Sequence, residues 1–464
     1  MSEQSAEQTT PLMPRGKFKG LIISLIAVCA ALALYAVLPF DDAANKGLAI
    51  LLFVGILWFT EALHITVTAL MVPILAASVG IPEMDTKSSL ASFADPIIYI
   101  FFGGFALATA LHIQKLDRKI ALFLISLSGG NMLIAVLLIF AVTAFLSMWI
   151  SNTATTAMML PLALGIMTHL DREKDRSTFV FVLLGIAYCA SIGGLGTIVG
   201  SPPNAIAAKA LDLDFAGWMK YGLPMMLVLL PLMLMALYVV LRPKFGKTDA
   251  GQVQSENIPW TSTRILAALL FACTAMAWIL SGTVKEITGV TNPDTWIALV
   301  AAVMVVVLGL ASWKEVADGT DWGVLMLFGG GITLSVMMQK SGASLVLGQQ
   351  MAAAFAQAHP FIVIFAVAAF IIILTEFTSN TASAALLVPI FASIAVEMNM
   401  PVEVMVMVIG IGASCAFMLP VATPPNAIVF GTGLVRQRDM MRVGAVLNAL
   451  SIVAVSVWAY FFLM

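Results

Sequence analysis

Three short strings occur twice in the chain, each time within otherwise apolar sequence. Their positions are 151–153 and 379–381 for Ser-Asn-Thr, 202–204 and 424–426 for Pro-Pro-Asn, and 102–104 and 328–330 for Phe-Gly-Gly. The copies are 228, 222 and 226 residues apart, so the order and spacing of the strings are kept. This pattern predicts an internal duplication in which each half contributes one copy of a polar site.

The chemistry of these strings is that of neutral oxygens and amide hydrogens. A helix that breaks inside a membrane exposes carbonyl groups at the end of one arm and amide groups at the start of the next. The carbonyl end suits a cation and the amide end suits an anion. Hard oxygens favour Na⁺, and hydroxyl and amide hydrogens can hold a carboxylate. We therefore predict a sodium pocket beside a carboxylate pocket in each half, with Asn152 or Thr153 and Ser201 as helix caps.

The surrounding sequence is that of an integral membrane protein. Of its 464 residues, 61% are hydrophobic and 10% are charged, whereas a soluble domain needs a polar surface. Apolar runs of bilayer-crossing length recur, and they predict eleven crossings. These lie near 20–40, 47–61, 64–82, 96–112, 179–210, 219–241, 264–281, 294–310, 322–338, 401–433 and 443–463. The net charge of −2 gives no sign of nucleic-acid binding.

Two further apolar stretches are predicted to be re-entrant helical hairpins with a Ser-Asn-Thr string at each tip. Clusters of Lys and Arg place the N-terminus in the cytoplasm, and the parity of the crossings places the C-terminus outside. The two halves then run in opposite orientations, which is the inverted-repeat plan of many secondary transporters. The predicted segments are a cytoplasmic tail (1–19), a first span (20–46), a first repeat (47–245) with hairpin 132–169 and broken helix 179–210, a cytoplasmic linker (246–263), and a second repeat (264–464) with hairpin 358–396 and broken helix 401–433.

The order of these motifs resembles that of the divalent anion/sodium symporter family, the INDY-type dicarboxylate carriers, over nearly the whole chain. Within that family the chain is similar to bacterial sodium-coupled succinate carriers. The resemblance implies an all-α homodimer in the bacterial inner membrane, with a scaffold domain and a transport domain that moves as an elevator. It also implies symport of at least two Na⁺ with a C4 dicarboxylate such as succinate, malate or fumarate.

The resemblance assigns roles to individual residues. The first sodium site would use Ser147, Ser151, Asn152 and the carbonyl of Gly200, and the second would use Thr375, Thr378, Asn380 and the carbonyl of Ala422. The substrate carboxylates would be held by Asn152, Thr153, Ser201, Asn380, Thr381 and Thr423, with Pro202 and Pro424 shaping the pocket. The spacing of Ser147 and Thr375 is again 228 residues, which supports this pairing.

Several alternatives remain open at this point. A carrier of the same family could exchange one dicarboxylate for another, couple to protons through Glu61 or Glu376, or be specific for sulfate or citrate. An anion channel belongs to a different class, and discrete duplicated pockets argue against a continuous pore. An enzyme is disfavoured because the sequence shows no nucleophile–base pair, metal-ligand cluster or nucleotide motif.

Overall fold

The structure, a computed structural model, describes residues 15–245, 258–355 and 357–464. The predicted tail up to residue 14 and the predicted linker from 246 to 257 lie outside these ranges. Within them the regular elements are helical, which confirms the predicted all-α class.

Each half of the chain contributes eleven α-helices to the described ranges. The first half forms α1 (Arg15–Val37), α2 (Asp42–Thr60), α3 (Ile65–Ser78), α4 (Thr86–Ala91), α5 (Pro96–Ile113), α6 (Leu116–Ser126), α7 (Met132–Ser147), α8 (Asn152–Ile166), α9 (Arg176–Gly193), α10 (Pro202–Ala210) and α11 (Phe215–Leu241). The second half forms α12 (Ser262–Ile279), α13 (Ser281–Thr288), α14 (Pro293–Val307), α15 (Trp313–Gly319), α16 (Trp322–Lys340), α17 (Ala343–Phe355), α18 (Pro360–Leu374), α19 (Asn380–Glu397), α20 (Val402–Gly412), α21 (Pro424–Gly431) and α22 (Gln437–Phe462).

Nine helical segments of the described ranges are long and apolar enough to cross a bilayer, or ten if α13 and α14, which meet at 91°, form one span. The eleven predicted crossings include shorter helices, such as the 14-residue α3. They also include 401–433, which the structure divides into α20 and α21. The chain is therefore a multi-span membrane protein, and the number of eleven crossings stays a prediction.

Both stretches predicted as hairpins consist of two helices joined by a short turn. α7 and α8 are separated by residues 148–151, and α18 and α19 by residues 375–379. The two stretches predicted as broken helices also leave the helix in their middle, and α10 and α21 each begin with two prolines. Proline is tolerated there because the first amides of a helix have no acceptor within it.

Mutual packing divides the helices into two groups. In one, which we call the frame group, α5 packs against α14 and α3 against α16. In the other, the hairpin group, α8 packs against α21 and α19 against α10. Each contact therefore has a counterpart in which the two halves exchange roles. The frame group also includes α2, which packs against α3 and α16. The two groups meet where α19 contacts α16 and α2.

The Phe-Gly-Gly strings lie at close helix contacts of the frame group. A Cβ atom added to Gly103 of α5 would lie 2.6 Å from the Ala298 side chain on α14. A Cβ atom added to Gly330 of α16 would lie 2.6 Å from the backbone oxygen of Ala69 on α3. Small residues permit such close approach between membrane helices, so these glycines serve packing.

Burial follows the two kinds of environment that a membrane protein needs. Every residue of α9 from Thr178 to Gly193 is buried, which places this helix at the centre of the hairpin group. On α1, in contrast, the apolar side chains of Leu32 and Val37 are 63% and 79% exposed. Apolar side chains on outer helices face lipid, where their exposure carries no hydrophobic cost.

Candidate substrate and ion site

A cavity of about 610 Å³ lies where both hairpin tips and both helix breaks meet. The tips contribute Ser151, Asn152, Thr153, Ser379, Asn380 and Thr381, and the breaks contribute Gly200, Ser201, Pro202, Ala422, Thr423 and Pro424. The facing wall belongs to the frame group and includes Glu61, Phe101 and Asp321. A cavity of this size is typical of small-molecule sites. The duplicated Ser-Asn-Thr and Pro-Pro-Asn strings, whose copies are more than 200 residues apart, therefore converge on one site.

The first tip forms a cradle of oxygens around the side-chain amide of Asn152. The inward end of this amide lies 2.6 Å from Ser147 Oγ, 3.1 Å from the Ala190 carbonyl oxygen and 3.3 Å from the Gly200 carbonyl oxygen. With the amide oxygen inward, four oxygens converge, which suits a hard cation such as Na⁺. With the amide nitrogen inward, its hydrogens are donated to the other three oxygens.

The second tip repeats this arrangement. Thr375 Oγ1 lies 2.6 Å from Asn380 Oδ1 and donates to the Ala413 carbonyl at 3.0 Å. Thr378 is not among the residues that line the cavity. Its hydroxyl donates to the Leu374 carbonyl at 3.0 Å and lies 2.7 Å from Ser383 Oγ within the hairpin. The hydroxyl–asparagine pair is thus the feature that both tips share.

The helices after the tips are capped by serine. Ser151 Oγ accepts from the Ala154 amide at 3.3 Å, and Ser379 Oγ accepts from the Ala382 amide at 3.4 Å. The prediction that Asn152 or Thr153 caps α8 is therefore wrong, because the helix already begins at Asn152. With Ser151 as the cap, the Asn152 amide is left to face Ser147.

The two breaks differ in how their helices are capped. Thr423 Oγ1 accepts a hydrogen bond from the backbone N–H of Asn426 at 3.3 Å and caps α21. Ser201 is the N-cap residue of α10, as predicted, but its side chain makes no capping hydrogen bond. Its hydroxyl oxygen lies instead 3.4 Å from Ser414 Oγ of the other half. This contact joins the two breaks beneath the cavity.

An asparagine holds each break together. Asn204 Nδ2 donates to the carbonyls of Gly194 and Thr197, both at 2.7 Å. Asn426 Nδ2 donates to the carbonyls of Ala416 and Leu419 at 3.2 and 3.0 Å. These bonds satisfy carbonyls that the unwound backbone would otherwise leave unpaired inside the membrane. Neither asparagine was predicted to have a role, although the repetition of Pro-Pro-Asn in the sequence was a signal for one.

The charged residues around the cavity are acidic. Among the described residues that line it, Glu61 and Asp321 are the charged ones, and no lysine or arginine occurs. Glu61 ends α2 in the left-handed backbone region at φ 47°, which non-glycine residues adopt rarely. A dianion in this cavity would therefore need neutralisation by helix amides and by cations bound with it.

Comparison with known proteins identifies the family. The sequence model of one family, described as the sodium:sulfate symporter transmembrane region, matches residues 16–464. The chain belongs to the sodium:sulfate symporter family. This family consists of transporters, so the chain is a membrane transporter and not an enzyme.

Similar proteins span nearly the full length of this symporter-family chain. An uncharacterised transporter of Haemophilus influenzae is 54% identical over 96% of this chain and 97% of its own. The sodium-dependent dicarboxylate transporter SdcS of Staphylococcus saprophyticus is 32% identical over 96% of this chain and 91% of its own. The YdaH transporter of Alcanivorax borkumensis, at 15% identity and a TM-score of 0.56, shares the fold over 97% of this chain and 99% of its own.

Some of the predicted site residues line the cavity, and others are buried behind its surface. All the predicted substrate residues line the cavity surface: Asn152, Thr153, Ser201, Pro202, Asn380, Thr381, Thr423 and Pro424. Of the predicted sodium ligands, Ser151, Asn152, Gly200, Asn380 and Ala422 also line it, whereas Ser147, Thr375 and Thr378 lie buried behind it. The roles of these residues stay predictions. The carbonyls of Ala190 and Ala413, which face the same cradles, were not predicted.

Proposed function

We propose that the chain is a symporter that carries C4 dicarboxylates, such as succinate, malate or fumarate, into the cell together with Na⁺. Each substrate molecule would travel with at least two sodium ions, one in the cradle of each tip. The carboxylates would bind the hydroxyl and amide hydrogens at the cavity surface. The observation that carries this proposal is the convergence of both tips and both breaks on one cavity with an oxygen cradle behind it.

The charge of the site supports coupling to a cation. A dianion must be neutralised where it binds, and the described lining offers acidic but no basic side chains. Two sodium ions would cancel the charge of one dicarboxylate. The cradle of Asn152 lies directly behind the surface that would bind the carboxylates, so cation and anion would occupy adjacent places. Substrate affinity would then depend on bound sodium.

The packing of the helices supports an elevator mechanism. The tips and breaks belong to the hairpin group, whereas Glu61, Phe101 and Asp321 on the opposite wall belong to the frame group. We propose that the hairpin group carries the site across the membrane along the frame group, which acts as the scaffold of a homodimer in the bacterial inner membrane. The N-terminus would be cytoplasmic and the C-terminus extracytoplasmic. On this topology, Glu61 at the end of α2 and Asp321 at the start of α16 lie toward the cytoplasm.

The test is uptake of labelled succinate into proteoliposomes that contain the purified protein, with one driving force at a time. A sodium gradient should drive accumulation, whereas an equal potassium gradient should not. Accumulation that is equally good without sodium would contradict the proposal. Citrate and sulfate as competitors test specificity, and counterflow that persists without sodium would identify an exchanger.

One observation favours proton coupling as a second candidate. Glu61 lines the cavity and could take up a proton there. Uptake driven by a pH gradient in the absence of sodium, and lost in Glu61→Gln, would support this candidate. If sodium drives uptake, Glu61→Gln should still accumulate succinate in a sodium gradient.

A further inference from the structure

Glu376 is the most deeply buried acidic side chain of the described ranges, with 2% of its surface exposed. Its carboxylate accepts hydrogen bonds from three successive backbone amides, those of Phe417 at 2.7 Å, Met418 at 2.9 Å and Leu419 at 3.0 Å. Asn448 of α22 adds a fourth donor at 2.7 Å. All these donors are uncharged. Together they replace the water that a buried carboxylate would otherwise need.

The backbone that Glu376 holds is part of the second break. This segment runs from the end of α20 to α21 and includes Ala422, whose carbonyl is a proposed sodium ligand. Its other contacts are also close. Tyr188 of α9 donates to the Phe417 carbonyl at 2.6 Å, and a Cβ atom on Gly444 of α22 would lie 2.3 Å from the same oxygen. Glu376 is the member of this set that belongs to the hairpin tip.

The first half also joins its tip to its break by a hydrogen bond, but there a side chain of the break donates to the backbone of the tip. The residue 228 positions before Glu376 is Met148, which has no acceptor oxygen in its side chain. There, the Thr197 hydroxyl of the break donates to the backbone carbonyl of Met148 in the tip. The second half has Leu419 in place of Thr197 and cannot form this bond. Glu376 supplies the connection instead, from the tip side chain to the break backbone.

We propose that Glu376 is the positioning residue of the second sodium site. It fixes the break to the tip so that the Ala422 carbonyl and the Asn380 amide remain together as ligands of one cation. A carboxylate is needed because both of its oxygens act only as acceptors, and three amides plus Asn448 face them. A glutamine would present an amide nitrogen to backbone N–H groups and leave some of them unpaired. This inference rests on the proposed coupling to sodium.

The experiment measures sodium binding without transport. Purified protein is heated at constant ionic strength while Na⁺ replaces K⁺, and the sodium concentration that gives half of the stabilisation is recorded. Glu376→Gln should raise this concentration about tenfold. Glu376→Asp keeps the acceptor oxygens on a shorter side chain and should be intermediate. Glu403→Gln, which removes an exposed carboxylate at the start of α20, is the matched control and should equal wild type.

Double variants distinguish positioning from general loss of stability. Combined with Thr375→Ala, Glu376→Gln should add little, because both changes damage the same site. Combined with Ser147→Ala, it should add its full tenfold effect. Equal additivity in both backgrounds, or an unchanged half-effective concentration in Glu376→Gln, would overturn the inference.

Two other results, misfolding of Glu376→Gln and a lack of sodium-specific stabilisation, are distinguished from these outcomes by further measurements. If Glu376→Gln fails to fold, Asn448→Leu removes one donor and leaves the three backbone bonds, and it should raise the half-effective sodium concentration by a smaller factor. Wild-type values in both Asn448→Leu and Glu376→Asp would then overturn the inference. If sodium does not stabilise the wild-type protein more than potassium does, the proposed sodium coupling itself fails.

Discussion

The two halves of the site have kept the same groups around the tip but changed what supports them. In both halves a hydroxyl lies 2.6 Å from an asparagine amide, through Ser147 and Asn152 in the first and Thr375 and Asn380 in the second. The supporting contacts differ, because the first half joins tip to break through the Thr197 hydroxyl and the second through the Glu376 carboxylate. Groups that face a ligand are restricted by its chemistry, whereas a support needs only to hold the backbone.

The space behind each break also differs. In the first half, Gly196 lies so close to Met148 that an added Cβ atom would be 2.9 Å from the Met148 side chain. The corresponding residue of the second half, 222 positions later, is Met418, and its amide binds Glu376. In the first half, Gly196 packs against the apolar side chain of Met148. In the second half, the backbone amide of Met418 instead donates to the carboxylate of Glu376. Both solutions leave the break unwound at the same place.

The largest expected effect tests the groups that the halves share. Asn152→Ala and Asn380→Ala should each lower succinate uptake about 100-fold or more while the protein stays folded, because each removes a group that would bind both cation and substrate in the proposed symport. Uptake in proteoliposomes and monodispersity in detergent are the measurements. Near-wild-type uptake in one of the two variants would show that the halves are not equivalent in function.

The next effect should occur in the first half alone. A Cβ atom on Gly194 would lie 2.7 Å from Asn152 Oδ1 and 2.9 Å from the Gly200 carbonyl oxygen. Gly194→Ala should therefore distort the first cradle and raise the half-saturating sodium concentration of uptake about tenfold. The equivalent residue of the second half is already Ala416, and Ala416→Gly serves as the control with close to wild-type behaviour. A tolerated Gly194→Ala would argue that no cation binds beside Asn152.

A smaller effect, on stability, should distinguish the two asparagines that hold the breaks, Asn204 and Asn426. Asn204→Leu and Asn426→Leu each remove two hydrogen bonds to break carbonyls. Asn204 makes the shorter bonds, and the second break is also held by Glu376, so Asn204→Leu should be more destabilising. We expect about 2 kcal/mol for Asn204→Leu and about half as much for Asn426→Leu. Thermal unfolding in detergent measures both, and the reverse order would mean that Glu376 does not support the second break.

The sequence was sufficient for the parts of this site that repeat. The duplicated strings located the two tips and the two breaks, because a polar interruption of a membrane helix is rare and two copies at one spacing are rarer. It was insufficient for contacts between distant segments. The bonds from Glu376 to residues 417–419 join positions about 40 residues apart, and Met148 gives no hint of them in the other half. Capping was also mispredicted, because Ser151 and Asn152 are both good caps and only the backbone decides between them.

The smallest expected effect concerns a contact that the second half lacks. Lys209 at the end of α10 forms an ion pair with Asp95 at the start of α5, at 2.9 Å, and thereby joins the hairpin group to the frame group. The counterpart of Asp95 is Asp321, but the counterpart of Lys209 is Gly431, so the pair occurs once. If the hairpin group moves along the frame group, the movement must break this pair.

Lys209→Ala should therefore change the rate of sodium-driven uptake while leaving its sodium dependence unaltered. The side chain of Lys209 is 40% exposed, and such pairs contribute up to about 1 kcal/mol, so we expect a change of about twofold to fivefold. Lysine is the better partner to change, because Asp95 also accepts the Ile97 amide at 3.1 Å as the cap of α5. Lys220→Ala on α11 is the control. A tenfold change in half-saturating sodium for Lys209→Ala would instead connect this pair to the ion sites, since an ion pair outside the cavity should alter the movement and not the binding.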